Sequence, residues 1–262
     1  LVNPHAFELS RGLAHLRVNV DIGGLNEPYE HEGDLGVFMT PVAIDRLEGS
    51  TEPLLLVVKL DLLNALCHAI WKTGLLNSTP QIPDSIGALI GAVSVDAKLP
   101  PVIQFDPNIG QELILKLVEL QLAVTPRGTS SPDLYILNLS VPALLDVQDG
   151  FITLRTNGTP DIEVNTLSKS SDSAINAQTI ESLLLGAIWP LFQATLDEGL
   201  TYGIGSIPIE QQILREIAPK LSSLVLTPAI SNNFIESPGV ITVGGQLTME
   251  GTIRPTPPPN IE

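Results

Sequence analysis

The sequence predicts an α+β fold: a long, highly curved antiparallel sheet wrapped around a long kinked helix, with a shorter helix beside it. Three observations carry that expectation. Two apolar helical segments, 60–76 and 176 to about 200, lie far apart in the chain. A block of strand-like segments separates them. Neither helical segment has a clean polar face, so each should be covered on most sides rather than lie on a surface. A long helix covered by a curved sheet leaves an apolar seam between the two layers, and function is expected there.

The chain opens with an alternating run, Leu13, Leu16, Val18, Val20 and Ile22, that stops at Gly23-Gly24 and reads as a strand and turn. Residues 26–34 are polar and acidic and read as a loop. Residues 35–44 read as a strand, with Pro41 marking an edge or a bend. After a turn at 50–53, the apolar run 54–58 fits either a strand or the first turn of the helix that follows. Gly74 stops that helix, and Pro80 and Pro83 follow as expected past a C-terminal boundary. The spacing of Ile86, Leu89 and Ile90 suggests a short helix before Val93 and Val95.

From Pro100-Pro101 onward the reading is β. Strands are expected at 102–105, 112–124, 134–145, 150–155 and 163–169. The turns between them fall at Asp106-Pro107-Asn108, at 126–129, at 146–150 and at Thr156-Asn157-Gly158. Within 112–124, Leu113, Leu115, Leu117, Glu119 and Gln121 follow one alternation. Asp172-Ser173 can cap the second helix. About 25 residues of helix span roughly 37 Å, a length that suits a long sheet better than a compact bundle. Pro190 should kink it, and Gly199, Gly203 and Gly205 end it. Then come an extended piece at Ser206-Ile207-Pro208, a helical turn within 214–221, strands at 221–227 and 239–252, and a Pro-rich tail from Pro255 expected to be disordered.

Composition narrows the function classes. With 262 residues the chain suits one large domain or two small ones. It is 44% hydrophobic but only 4% aromatic, so its apolar content is aliphatic, fit for a large core or for a lining around acyl chains. A net charge of -16 argues against nucleic acid and against polybasic attachment to anionic lipid. The single Cys67 can form no internal disulfide and reads as a small buried hydrophobe. No run of eighteen apolar residues exists, so no transmembrane helix is expected. The first residue is Leu1, so the chain reads as a processed form, a trimmed form or a fragment, with any signal peptide already removed. Three glycosylation-type triplets begin at Asn77, Asn138 and Asn157.

Three stretches, taken in order, resemble one domain of the BPI-like family of tubular lipid-binding proteins. The first is 63–76, similar to that family's short helix with its Gly-Leu stop. The second, 100–108, resembles the Pro-led strand and turn that follow it. The third is 180–191, followed by Leu200 and Gly205-Ser206-Ile207-Pro208, which looks like the family's long helix with an internal proline. The likeness covers about 54–253 and lies in order and spacing. It divides the chain into 1–53 (extra strands with an acidic loop, or the remnant of a preceding domain), a BPI-like lipid-binding domain at 54–254, and the tail 255–262. The chain lacks a paired cysteine and basic loop tips, a departure from the antibacterial animal members that points to a divergent, bacterial-type member without cationic lipopolysaccharide contacts.

Catalytic chemistry finds little foothold. His5, His15, His31 and His68 form no metal-ligand spacing and follow no nucleophile elbow. Cys67 and His68 are adjacent on a helix and so point about 100° apart, which rules out a facing pair. Glu27, Glu30, Glu32 and Asp34 lack the glycine-centred order of a calcium loop and read as solvated. No enzyme activity, cofactor or metal is therefore expected.

The expected ligand residues lie on the two helices. Ala65, Ala69 and Ala187 leave room for acyl chains, and Leu66, Ile70, Leu183, Leu184, Ile188, Leu191 and Phe192 supply an apolar wall. The expected partner is a lipid or fatty-acyl ligand, with transient membrane contact, outside the cytoplasm: secreted, periplasmic or on an outer surface. The competing expectation is a structural or protein-interaction module with the same fold and a closed cavity, its seam plugged by Trp71 and Trp189.

Overall fold

The computed structural model describes residues 2–10, 13–20, 36–39, 54–82, 84, 86–106, 113–148, 151–170, 173, 175–199, 201–203, 206–208, 211–217, 219–237 and 240–253. It is α+β, with a curled antiparallel half-barrel sheet and two principal helices. The turn at Gly23-Gly24, the acidic loop, most of the 35–44 strand, the 50–53 turn, Asp172 and the tail lie outside the described residues. Residues 36–39 carry no regular structure.

One strand absent from the sequence reading, one present in it and one that it left open against a helical turn begin the chain. β1 (Val2–Ser10) pairs antiparallel with β2 (Leu13–Val20), the alternating run, and the apolar run before the first helix is a strand, β3 (Leu54–Lys59). α1 (Leu60–Lys72) follows it directly. It ends as expected at Gly74, whose φ of 72° is a left-handed value that glycine adopts without a steric penalty.

The helix expected around Ile86–Ile90 is instead a set of turns leading into β4 (Ile90–Ala97). The period of Ile90, Val93, Val95 and Ala97, all buried, is set mainly by the strand's inner face. β5 (Val102–Phe105), β6 (Leu113–Pro126), β7 (Asp133–Gln148), β8 (Phe151–Thr156) and β9 (Asp161–Ser168) follow close to the expected places. Glycines at the expected turns support the hairpins: Gly128 has φ 84° between β6 and β7, and Gly158 has φ 95° between β8 and β9.

β6 and β7 form a long central ribbon. Each carries two short strands end to end along its outer side: β4 and β5 on β6, β8 and β9 on β7. β10 (Thr201–Gly203) adds to β8 and completes a seven-stranded sheet. A separate four-stranded sheet runs β11 (Ile207–Pro208), β12 (Leu221–Ser237), β13 (Val240–Ile253), β3. Helix α4 (Gln211–Ile217) buries Leu214 against Leu226 of β12 in a small second core.

A β-bulge corrects the predicted alternation of β6. The register slips between Leu117 and Leu120, and Glu119 adopts a φ of 56°, with its N–H donated to Asn138 Oδ1 at 3.1 Å. The extra residue flips the side-chain parity. Leu113, Leu115 and Leu117 face inward before the bulge, and Leu120, Leu122 and Val124 face inward after it, all nearly inaccessible. Glu119 and Gln121 therefore do not share the leucines' face.

The long helix is continuous from Ala177 to Gly199 but is not a uniform α-helix. It comprises α2 (Ala177–Leu183), a π-helical turn (Leu184–Ile188) and α3 (Trp189–Gly199). Its N-cap is Asn176 rather than Asp172 or Ser173; Asn176 Oδ1 accepts the Thr179 N–H at 2.8 Å. Ser173 instead donates its hydroxyl to Asp133. The fully buried Asp133 carboxylate also accepts the Ser170 N–H at 2.8 Å and so ties the segment leading into the helix to the start of β7.

Candidate functional site

One apolar core joins both helices to the inner face of the seven-stranded sheet. It contains Leu60, Leu63, Cys67, Ile70 and Trp71 from α1, and Ile180, Leu183, Leu184, Ile188, Trp189, Phe192 and Leu196 from the long helix. Between them lie the inward rows of β6 and β7. The two helices reach this core from different sides: α1 contacts β5, α2 contacts β9, and α3 contacts β8.

α1 covers a sheet edge as well as contributing to the core. Among the described residues the ladders of β4 and β5 run to β6 alone, so their other edge needs partners from outside the sheet. Asn64 Oδ1 accepts the Ile103 N–H at 2.7 Å, Trp71 Nε1 donates to the Ala97 carbonyl at 2.7 Å, and Asn77 Oδ1 accepts the Ala97 N–H at 2.8 Å. Ser78 closes a backbone bridge with Val95. Buried backbone groups need such partners, and this fixes α1 against the edge. Asn64 Nδ2 stays buried and unpaired, at a cost of about 1–3 kcal/mol.

The predicted ligand residues fall into three groups. Ile70, Leu183, Leu184, Ile188 and Phe192 are buried in the core, the last four at no more than 1% exposure. Leu66 and Ala187 are half-buried and packed against it. Ala65 and Ala69 are half-buried on the flank of α1 turned away from its buried stripe, and Leu191 is 45% exposed on α3. The small residues of α1 thus do not face the sheet. With Leu62 and Leu66 they form a second, half-buried apolar stripe.

The π turn explains why Leu191 and Phe192 part company. On a uniform α-helix with Ile180 at 0°, Leu191 lies at about 20° and Phe192 and Leu196 at about 120° and 160°. The structure shows the reverse exposure: Phe192 and Leu196 are 1% exposed. One extra residue per turn in 184–188 rotates the following helix and brings Ile180, Leu184, Ile188, Phe192 and Leu196 onto one face. The turn also accommodates Pro190. The α-ladder is already interrupted when the chain reaches it, so the proline sits in the first turn of α3, where a missing N–H is tolerated.

The turn and the proline together displace α-helical hydrogen bonds of the long helix. Trp189 donates its N–H to the Leu184 carbonyl, five residues back, and Pro190 has no N–H. The Leu185 carbonyl loses its α-helical partner to the turn, and the Gly186 carbonyl loses its own to the proline. Nothing in the sequence reading had marked Leu185. Its signal was the fourfold spacing 180, 184, 188, 192, 196, which a plain α-helix cannot keep on one face.

Other candidates are accounted for by packing. Cys67 is fully buried, and burial pushes its thiol up to about 12, while the His68 ring turns to Trp71 with centroids 5.6 Å apart. Of the glycosylation-type triplets, Asn77 and Asn138 spend their side chains on the Ala97 and Glu119 N–H groups, and Asn157 is exposed in the β8–β9 turn.

No protein-family model matches the chain, and no curated protein matches it. Among solved structures it is similar to one described as the crystal structure of lipopolysaccharide binding protein, with 14% sequence identity and a TM-score of 0.28. That similarity covers 81% of this chain and 54% of the other, so the chain spans about half the length of that protein. The functional reading rests on the chain's own residues.

Proposed function

We propose that this chain binds, without catalysis, a lipid or other long apolar ligand along the seam between its helices and the inner face of the seven-stranded sheet. Transport of that ligand outside the cytoplasm, in a secreted, periplasmic or outer-surface setting with transient membrane contact, is part of the same proposal. The observation that carries it is that the core does not use up the helices' apolar surface. Leu66 on α1 and Ala187 in the π turn are only partly buried where they pack against the core, and Leu191 on α3 is 45% exposed. Each methylene that a ligand withdraws from water against such surface contributes about 0.8 kcal/mol. The BPI-like order of segments in the sequence supports the same reading.

A closed scaffold is the second reading, favoured by the near-zero exposure of Leu183, Leu184 and Ile188 and by the buried bulk of Trp71. Uptake of a fluorescent long-chain acyl probe separates the two. The binding reading expects uptake by the native chain, and loss of uptake with unchanged thermal stability in Ala187→Trp, whose site packs against the core. A folded native chain that takes up no probe is the scaffold.

A further inference from the structure

We propose that the open edge of β13 over residues 246–253 docks strand β2 of a second copy of this chain, so that two copies exchange their β1–β2 hairpins and close a symmetric dimer. β13 pairs with β12 from Val240 to Ile253, but its ladder to β3 stops at Gly245. Among the described residues no strand lies along 246–253 on that side. An unpaired edge of this length is a template for another strand. The same stretch shows apolar surface. Met249 is 65% exposed and Ile253 is 72% exposed, on the face where Leu247 packs against the small second core.

The hairpin is the matching unit. Among the described residues its two strands pair only with each other, and a lone two-stranded ribbon is marginal in water. The register sets Val2 with Val20, Pro4 with Val18, Phe7 with Leu16 and Leu9 with Ala14 on one face, so the ribbon has an apolar side to bury. Pro4 and the bulge after it blunt the outer edge of β1, whereas β2 holds neither proline nor glycine. When β2 is laid antiparallel with Arg17 opposite Glu250, Val20, Val18 and Ala14 fall opposite Leu247, Met249 and Ile253. One register therefore matches length, apolar face and charge at once, and such directly opposed pairs are favourable. Each chain carries one such strand and one such edge, unjoined within the chain. A two-fold exchange satisfies both and leaves no open end for further growth.

Sedimentation equilibrium of the full chain should show a dimer. Val18→Cys and Met249→Cys chains, co-expressed and mildly oxidised, should yield the disulfide-linked peptide pair 18–249, which only a contact between copies can form. Glu250→Arg and Arg17→Glu should each weaken the dimer about tenfold, and the two together should restore it to within about threefold. Met249→Lys, at an exposed position, should weaken it at least as much with the circular dichroism of the fold unchanged. A monomer overturns the inference, including one in which a chain bearing both cysteines closes the link on itself. So does a dimer without that link, or a charge reversal that its counterpart does not rescue.

Discussion

Truncating the two adjacent residues Leu191 and Phe192 one at a time tests the phase of the long helix. In a uniform α-helix continuing the stripe of Ile180, Leu183 and Leu184, Leu191 is the core residue. In the structure Phe192 is 1% exposed and Leu191 is 45% exposed. Phe192→Ala removes a fully buried ring and leaves a cavity, a change that costs about 3–5 kcal/mol. Leu191→Ala removes a side chain already half in water, which costs less than about 1 kcal/mol. At roughly 2–4 °C per kcal/mol for a chain of this size, Phe192→Ala should lower the Tm by about 10 °C and Leu191→Ala by no more than about 3 °C. Urea denaturation gives the same comparison as free energies. Equal losses, or a larger loss from Leu191→Ala, would refute the π turn.

Trp71→Phe deprives the Ala97 carbonyl of its side-chain donor at the covered sheet edge and should cost about 1–3 kcal/mol in urea denaturation, beyond the small change in volume. Asn176→Ala removes the cap of the long helix and should cost about 1 kcal/mol by the same assay. Cys67 should resist alkylation at pH 8 in the folded chain and react at once in denaturant, as read by mass, because burial holds its thiol at about 12. The Tyr135 phenol is likewise pushed up to about 12, by burial first and then by the neighbouring Asp133 carboxylate. In the unfolded chain these groups titrate near 9.0 and 10.0. The fold therefore holds their protonated forms, so their contribution to stability is intact below pH 9 and drains away between pH 9 and 12. A thermal-denaturation series across that range should show a steady fall; a rise would contradict both assignments.

The parts of the fold legible in the sequence were those written in local periodicity. The alternating runs of β6 to β9, the Gly74 stop and the glycine turns at 128 and 158 needed no tertiary information. β4 was misread because Ile86, Leu89 and Ile90 carry a helical spacing by coincidence, and pairing of Ile90–Ala97 with β6 overrode it. The bulge at Glu119 had no local signal. It becomes visible only through the pairing with β7, where Asn138 takes up the freed N–H. Pro190 announced an irregularity in the long helix, but its form was decided by packing: a kink alone leaves Phe192 and Leu196 off the core face, whereas one extra residue per turn brings them back. The candidate site was legible only in outline. Sequence reasoning placed the apolar wall on two helices, but α1 turned out to meet the sheet with Asn64 and Trp71, which put Ala65 and Ala69 on its outer flank. Hydrogen bonds to a sheet edge between residues up to 39 apart cannot be read from spacing.

The most direct test of the ligand-binding account is native mass spectrometry of the purified full chain, with organic extraction of what accompanies it. The account predicts an adduct of defined mass whose extract is a lipid or other long apolar molecule. A bare-chain mass, an extract free of lipid and no uptake of the acyl probe would contradict it and leave the closed scaffold.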